Sequence, residues 1–188
     1  MPETNRIVIL GGHGKVALLA APLLESAGFT VDSVIRDLAQ VPDIELVGAN
    51  PVVLDIEHAS TAELAALFAG AAAVVFSAGA GGGNPARTRA VDFEAASRAI
   101  AAAEQSGVNR FVMVSYAGSG SDLQRLDAAA AFYTYAKAKA DADARSAAQR
   151  EANLKRMQGM AGATGGETAT GNAQLGFVVL QILGDCQN

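Results

Sequence analysis

The sequence is poor in several residue types that would mark specialised proteins. One cysteine, Cys186, and no tryptophan occur among its 188 residues. A single cysteine excludes an intrachain disulfide framework and a cysteine-rich metal centre, so we expect no metal. Lysine and arginine total 14 against 19 aspartates and glutamates, which gives a net charge of −5. An acidic chain without a basic cluster argues against nucleic acid as the main partner.

Long apolar runs are missing as well. No stretch approaches the ~20 residues that a membrane-spanning helix requires, although 51% of the residues are hydrophobic. The first residues, Met1–Arg6, lead directly into a predicted strand and do not have the pattern of a signal peptide. We therefore expect a soluble, cytoplasmic protein with no membrane partner. The length is typical of a single domain with its own core.

A glycine-rich turn close to the start of the chain is the most informative feature present. The predicted strand Arg6–Leu10 is followed by the turn Gly11-Gly12-His13-Gly14-Lys15-Val16-Ala17 and by a helix that reaches Ala27. Glycines allow a sharp turn beside a ligand, and the first N–H groups of a helix attract phosphate. The spacing Gly11-x-x-Gly14-x-x-Ala17 differs from G-x-G-x-x-G but can serve the same roles. The turn therefore predicts a pyrophosphate site.

Strands and helices alternate along the rest of the chain, which predicts an α/β fold with a three-layer, doubly wound parallel sheet of the NAD(P)-binding Rossmann type. Further strands are predicted at 30–35, 51–54, 71–76, 110–115 and 177–183, and helices at 62–68, 85–105 and 127–154. Gly107 is suited to end the second of these helices. We expect one dinucleotide-binding domain over residues 1–150. Residues 151–188 form an atypical C-terminal segment, with a low-complexity loop at 159–173 before the late strand.

The ligand of such a sheet lies beyond the carboxyl ends of its strands, so the residues that follow each strand are candidates. Arg36 follows the second strand and suits the 2′-phosphate of NADP, whereas its neighbour Asp37 would suit the ribose hydroxyl of NAD. Asp55 follows the third strand as a candidate adenine partner, although such an aspartate is also a common helix cap. The small residues Ser77, Ala78 and Gly79 follow the fourth strand and let a ribose or nicotinamide approach the backbone, or they form an ordinary turn.

Two overlapping Tyr-x-x-x-Lys pairs, Tyr133/Lys137 and Tyr135/Lys139, follow the fifth strand, which ends at Ser115. Residues four apart share one face of a helix, so each pair brings a phenol beside an ammonium. The ammonium favours the phenolate and makes proton transfer feasible near neutral pH. The Ser115 hydroxyl could hold the substrate oxygen. An alanine- and lysine-rich helix also produces this spacing by chance, and that alternative stays open here.

In this order, the motifs resemble the atypical short-chain dehydrogenase/reductase superfamily, and within it the NAD(P)H-binding group described as NmrA-like or NAD-dependent epimerase/dehydratase-like. The resemblance is carried by residues 11–17, 52–55, 77–80 and 111–116 and by Tyr135-Ala-Lys-Ala-Lys139 with Asp143. It covers roughly residues 5–145 and implies that Tyr135 and Lys139 are the functional pair, with Lys139 near the nicotinamide ribose. The implied catalytic set is Ser115, Tyr135 and Lys139. The candidate cofactor-binding residues are Gly11, Gly12, His13, Gly14, Lys15, Val16, Arg36, Asp55, Ser77, Ala78, Gly79, Ser115 and Lys139.

The C-terminal part departs from the pattern of that group, because Gln181-Ile182-Leu183 stands where an Arg-Pro or Gly-Pro turn should close the nicotinamide pocket. We expect an NADP-dependent oxidoreductase that acts on a small carbonyl or similar acceptor, with NAD the less favoured cofactor. The alternative is a non-catalytic NADP(H)-binding module that senses redox state or regulates a partner. The superfamily's habit of pairing long helices across a dimer makes a homodimer possible. The substrate is not specified by the sequence.

Overall fold

The computed structural model describes residues 5–81, 84–108, 110–116, 123, 126, 131–163 and 176–182. Six strands form one sheet in the order β3-β2-β1-β4-β5-β6, and every neighbouring pair is parallel. This order confirms the predicted doubly wound sheet. The strands are β1 (Arg6–Leu10), β2 (Thr30–Ile35), β3 (Asn50–Val53), β4 (Ala73–Phe76), β5 (Arg110–Tyr116) and β6 (Gly176–Ile182).

Helices cover both faces of the sheet, as the crossovers between parallel strands require. They are α1 (Lys15–Ser26), α2 (Val41–Leu46), α3 (Thr61–Phe68), α4 (Pro85–Thr88), α5 (Ala96–Gln105) and α6 (Ala131–Ala163). A 3₁₀ turn, Leu38–Gln40, precedes α2, and a π-helical segment, Arg89–Ala95, joins α4 to α5. No helix in these described segments is long and apolar enough to cross a membrane.

The strand β1 lies at the centre of the sheet and is buried on both faces. Ile7 and Ile9 pack into one core cluster with Ala17 and Ala21 of α1. Val8 and Leu10 point to the opposite face and pack into a second, larger cluster that includes residues of α3, the π segment and α5. Side chains alternate between faces along a strand, so a strand with helices on both sides must be apolar throughout. This explains why Arg6–Leu10 reads as a continuous apolar run after its first residue.

Some predicted elements need correction. The helix predicted at 85–105 is α-helical at both ends but π-helical between them, because Arg89–Ala95 takes wider turns. The last long helix is described over Ala131–Ala163, so it extends beyond 154, while residues 127–130 lie outside the described residues. Residues 159–163 of the predicted loop are therefore helical, and 164–173 lie outside the described residues. The late strand is found at Gly176–Ile182, one residue earlier than predicted.

Candidate functional site

The site lies where the order of the strands reverses, between β1 and its two neighbours. Leu10 pairs with Val34 of β2 on one side and with Phe76 of β4 on the other. The backbone N–H of Ser77 donates to the carbonyl of Leu10 at 2.9 Å, so the loops after β1 and β4 leave the sheet side by side. In parallel sheets this reversal opens a crevice at the carboxyl ends of the strands.

Close packing explains the first two glycines of the turn. Gly11 has a φ of +82°, and a Cβ atom there would lie 2.6 Å from the Cα of Ala78. A Cβ at Gly12 would lie 2.6 Å from the Cβ of Ser33. Both distances are too short for any side chain, so the glycine turn lies directly against the loop after β4 and against β2. The close approach that the spacing predicts is present.

The third glycine leaves the start of α1 open to a ligand. Gly14 is the N-cap of this helix, and no side chain caps the N–H groups of the first turn. A Cβ at Gly14 would lie 3.2 Å from the carbonyl oxygen of Gly11, which makes the position tight for larger residues. Uncapped N–H groups at the positive end of a 12-residue helix form an anion site. The turn and helix therefore fit a pyrophosphate.

A pocket opens from this turn toward the ends of β2, β3 and β4. The lining contains eight of the predicted cofactor-binding residues: Gly11, His13, Gly14, Arg36, Asp55, Ser77, Ala78 and Gly79. Gln40, Glu57 and Arg87 also line it, and the sequence had not indicated them. Gly12, Lys15 and Val16 are not part of this lining: Gly12 packs on Ser33, and the other two begin α1. Ser115, Tyr135 and Lys139 lie outside the pocket, on β5 and α6.

Arg36 and Asp37, which the sequence left in competition, have different roles in the structure. Arg36 is exposed and lines the pocket. The Asp37 side chain instead caps the 3₁₀ turn, where its Oδ1 accepts a hydrogen bond from the N–H of Ala39 at 2.9 Å. Within the described segments, no ion pair or hydrogen bond engages the Arg36 guanidinium. The pocket therefore presents the exposed guanidinium of Arg36 at the end of β2.

The other charged groups of the lining are held by neighbours. His13 Nε2 lies 2.7 Å from Oδ2 of Asp43 on α2, and Arg87 Nε donates to Glu57 at 3.2 Å. Asp55 accepts a hydrogen bond from the N–H of Glu57 at 3.0 Å, so it stabilises a turn as well as lining the pocket. This geometry is compatible both with a capping role for Asp55 and with a role in binding the adenine.

The two Tyr-x-x-x-Lys pairs face in different directions. Lys137 is exposed and donates to Asp141 at 2.9 Å, and this hydrogen bond raises the pKa of the Lys137 ammonium. Lys139 is 3% exposed, and its Nζ lies 5.9 Å from the centroid of the Tyr135 ring and 5.8 Å from that of Phe76. The pair that the resemblance favours is therefore the one directed toward the sheet.

Ser115 and Lys139 both contact carboxylates on neighbouring elements. Ser115 Oγ donates to Asp143 Oδ2 at 2.8 Å, and Lys139 Nζ lies 3.0 Å from Asp92 Oδ1 in the π segment. Lys139 also donates to the carbonyl of Ala78 at 3.2 Å. The sequence did not lead us to predict a role for Asp92, although an acidic residue among the apolar residues of a helix face could have indicated one. Lys139 thereby connects α6 to the loop that lies on Gly11.

An aromatic cluster surrounds Tyr135. Its ring centroid lies 5.8 Å from that of Tyr116 at the end of β5 and 5.5 Å from that of Phe132 in the first turn of α6. Phe132 is 45% exposed, so one ring of the cluster faces outward. Aromatic rings at these separations attract one another and fix their orientations. The cluster holds the Tyr135 side chain beside Lys139.

Comparison with known proteins places this arrangement in a family. The model of a family described as NAD(P)H-binding matches residues 11–153. A UPF0659 protein of Schizosaccharomyces pombe is 43% identical over 111 residues, which are 57% of this chain and 45% of that protein. YhfK, an uncharacterized sugar epimerase of Bacillus subtilis, is 31% identical over 112 residues, 58% of this chain and 52% of its own. The chain thus spans about half the length of these relatives.

A solved structure extends the similarity to the fold. A candidate NAD-dependent epimerase/dehydratase of Bacillus halodurans superposes with a TM-score of 0.66 and is 31% identical. The superposition covers 74% of this chain and 63% of the other. The family match and this structural similarity confirm the resemblance that the sequence motifs indicate.

Proposed function

The chain belongs to the NAD(P)H-binding family, and on that premise we propose that it is an NADP-dependent oxidoreductase acting on a small carbonyl or a similar acceptor. The glycine turn and the start of α1 would hold the pyrophosphate, and the pocket at the ends of β2 and β3 would hold the adenosine. When bound, the nicotinamide supplies hydride chemistry. Cofactor binding, substrate orientation and proton transfer would be provided by residues of this chain.

The proposed preference for NADP depends on one observation: Asp37 caps a turn, whereas Arg36 lines the pocket. NAD binding in this fold commonly uses an acidic residue after β2 that accepts from the ribose hydroxyls. The Asp37 carboxylate already accepts from the N–H of Ala39, whereas the Arg36 guanidinium lines the pocket without a described partner. A guanidinium binds phosphate with two parallel hydrogen bonds, which supports a 2′-phosphate at this position.

Proton transfer would fall to Tyr135. The Lys139 ammonium lies 5.9 Å from the centroid of the Tyr135 ring, and the phenol would donate or accept a proton at the substrate oxygen. The Ser115 hydroxyl donates its proton to a hydrogen bond with Asp143, so its oxygen can only accept a hydrogen bond from a ligand. It would therefore orient a group that carries a proton, such as a substrate hydroxyl.

Calorimetric titration with NADPH and NADH tests the cofactor assignment directly. We expect NADPH to bind at least about tenfold more tightly, because the lost guanidinium–phosphate contact is worth roughly 1.5–3 kcal/mol. Equal affinities would reject the NADP preference and leave the family's dinucleotide binding intact. Turnover is then measured as NADPH oxidation with a panel of carbonyl compounds, quinones and flavins. The name of the Bacillus subtilis relative makes sugars a further class for that panel.

A second function, a non-catalytic NADP(H)-binding module that senses redox state, is supported by a different observation. The described pocket is lined by residues 11–91 alone, and Ser115 and Lys139 are each engaged by a carboxylate. A sensor binds oxidised and reduced cofactor with different affinities and changes its assembly on binding. Titration with NADP⁺ and NADPH, followed by sizing of each complex, separates the two functions. Unequal affinities without turnover on the panel would favour the sensor.

A further inference from the structure

Asp92 is a buried charge that the proposed chemistry does not yet use. The residue is 0% exposed and lies in the π segment, while the Lys139 side chain that faces it is 4% exposed. A buried ion pair contributes little net stability, because desolvation of both charges offsets their attraction. Stability alone therefore does not account for a carboxylate at this depth. A positional requirement is the better explanation.

The wider turns of the π segment set the position of Asp92. Its neighbours Val91 and Ala95 are buried in the core, which fixes this face of the segment against the sheet. π-helical turns are rare and occur often at functional sites. Here the local geometry directs one carboxylate toward two other elements at once. Oδ1 faces Lys139 of α6, and Oδ2 accepts from the N–H of Ala80 after β4 at 3.1 Å.

The contacts continue from Asp92 to the glycine turn without a gap. Lys139 donates to the carbonyl of Ala78, and Ala78 is the residue that leaves no room for a Cβ at Gly11. Of the three protons of the Lys139 ammonium, one is donated to Ala78, and Asp92 Oδ1 lies 3.0 Å from the nitrogen as an ion-pair partner without hydrogen-bond geometry. Within the described residues no further acceptor engages Lys139, so a proton stays available to a ligand. Its direction depends on these two contacts, which fix the position of the nitrogen.

We propose that Asp92 is a positioning residue for the nicotinamide half of the dinucleotide. It holds Lys139 in the orientation that leaves one N–H for the ligand, and it fixes the backbone of the loop after β4 through Ala80. The adenosine half would be held by other residues, because Arg36 and Asp55 follow β2 and β3, which lie on the other side of β1 from the loop after β4 that Asp92 contacts. This inference rests on the proposed dinucleotide binding, and its test separates the two.

The test compares two ligands in the variant Asp92→Asn. NADPH contacts the whole crevice, whereas adenosine 2′,5′-bisphosphate contacts only the adenosine side. We expect Asp92→Asn to weaken NADPH binding at least about tenfold and to leave the affinity for the bisphosphate within about twofold. A merely structural role for Asp92 would change the two affinities equally or change neither, and either result would overturn the proposal. A wild-type protein that binds neither ligand would instead refute the proposed function.

Two further variants keep the result interpretable. Asp141→Asn is the matched control, because it also removes a carboxylate that pairs with a lysine on α6, but at the surface. Both affinities should stay at the wild-type value in that control. If Asp92→Asn does not fold, the double variant Asp92→Asn/Lys139→Met removes both buried charges together and relieves the unpaired ammonium. It should bind the bisphosphate normally and NADPH at least about tenfold more weakly; wild-type affinity for NADPH would reject the positioning role.

Discussion

Ser115 Oγ donates a 2.8 Å hydrogen bond to Asp143 Oδ2 and joins the end of β5 to the middle of α6. Ser115 is 4% exposed, so this contact is largely shielded from water. A hydrogen bond to a charged group is worth roughly 1.5–3 kcal/mol. We expect Ser115→Ala to lower the free energy of unfolding by about that amount, measured by urea denaturation.

The control for Ser115 is Ser146→Ala on the same helix. Ser146 is 1% exposed, and its Oγ finds no hydrogen-bond partner in the described part of the chain. Loss of an unpaired hydroxyl should leave the free energy of unfolding unchanged or slightly higher. Equal losses in the free energy of unfolding for the two variants would show that the Ser115–Asp143 hydrogen bond does not stabilise the fold.

Gly11→Ala should impair both folding and cofactor binding. The new Cβ would meet the backbone of Ala78, which cannot move aside, at a position with φ +82°. We expect left-handed strain of about 1–2 kcal/mol and a further ~1–3 kcal/mol from the overlap. Gly107→Ala has a similar φ of +71°, and no atom of the described residues other than its chain neighbours lies within 4 Å of the new Cβ, so it should show the strain alone. Thermal unfolding and NADPH titration of both variants test this difference.

Arg36→Ala and Asp37→Ala should separate cofactor preference from local structure. The first removes the guanidinium that lines the pocket, so NADPH should bind about tenfold or more weakly while NADH binding stays constant. The second removes the cap of the 3₁₀ turn and should change neither affinity by much. A gain in NADPH affinity relative to NADH in Asp37→Ala would show that the carboxylate faces the ligand after all. Calorimetry with both cofactors provides the readout.

Tyr135→Phe should abolish turnover if the phenol transfers the proton, and it should leave the NADPH dissociation constant near the wild-type value. General acid–base groups typically contribute about 10²–10⁴-fold to rate. Tyr133→Phe is the natural control, because its partner Lys137 is exposed and paired with Asp141. An unimpaired rate in Tyr135→Phe on an accepted substrate would remove this residue from the mechanism.

The start of α3 predicts a pH effect unrelated to the pocket. Ser60 and Glu63 form a capping box, and the hydrogen bonds from Ser60 lower the pKa of the Glu63 carboxyl below its usual value. A depressed pKa stabilises the fold above the unfolded-state pKa, and this stabilisation is lost as the pH falls through the folded-state value. Ser60→Ala should lower the melting temperature by roughly 2–4 °C at neutral pH. The difference from wild type should shrink in acid and also in the background Glu63→Gln, where only the hydrogen bond from the backbone N–H of residue 63 to Ser60 Oγ remains to be lost.

The sheet and its crevice could be predicted from the sequence because their signals are local. The run from Ile7 to Leu10 is apolar on both faces, and Gly11 needs a positive φ, so strand and turn follow from neighbouring residues. Gly107 lies just after the end of α5 and has a φ of +71°, which agrees with the prediction that this glycine ends the helix. Pocket-lining positions such as Arg36 and Asp55 follow from the rule that ligands bind beyond strand ends.

The features that the sequence did not predict depend on contacts between distant segments. Asp92 and Lys139 are 47 positions apart, and they form a pair only because α6 packs on the π segment, which the local sequence does not reveal. The π segment has no strong composition signal, because apolar spacing distinguishes it poorly from an α-helix. Arg87 reaches the pocket through its contact with Glu57, which likewise joins separate loops. The Asp37 cap was missed because the 3₁₀ turn after it was not expected.

The pocket lining ends at Val91, and Asp92 is the next residue in the chain. The residues proposed for the adenosine and pyrophosphate would therefore come from one stretch of the polypeptide, and those proposed for the nicotinamide half and the chemistry from the stretch that follows it. Substitution or recombination in the later stretch would then change the reaction while the earlier one continues to hold the adenosine side of the nucleotide. Asp92 stands at the junction and contacts both sides, so a chimera joined here would have to retain a lysine able to meet it. The same junction is where a new reaction could be introduced onto this fold.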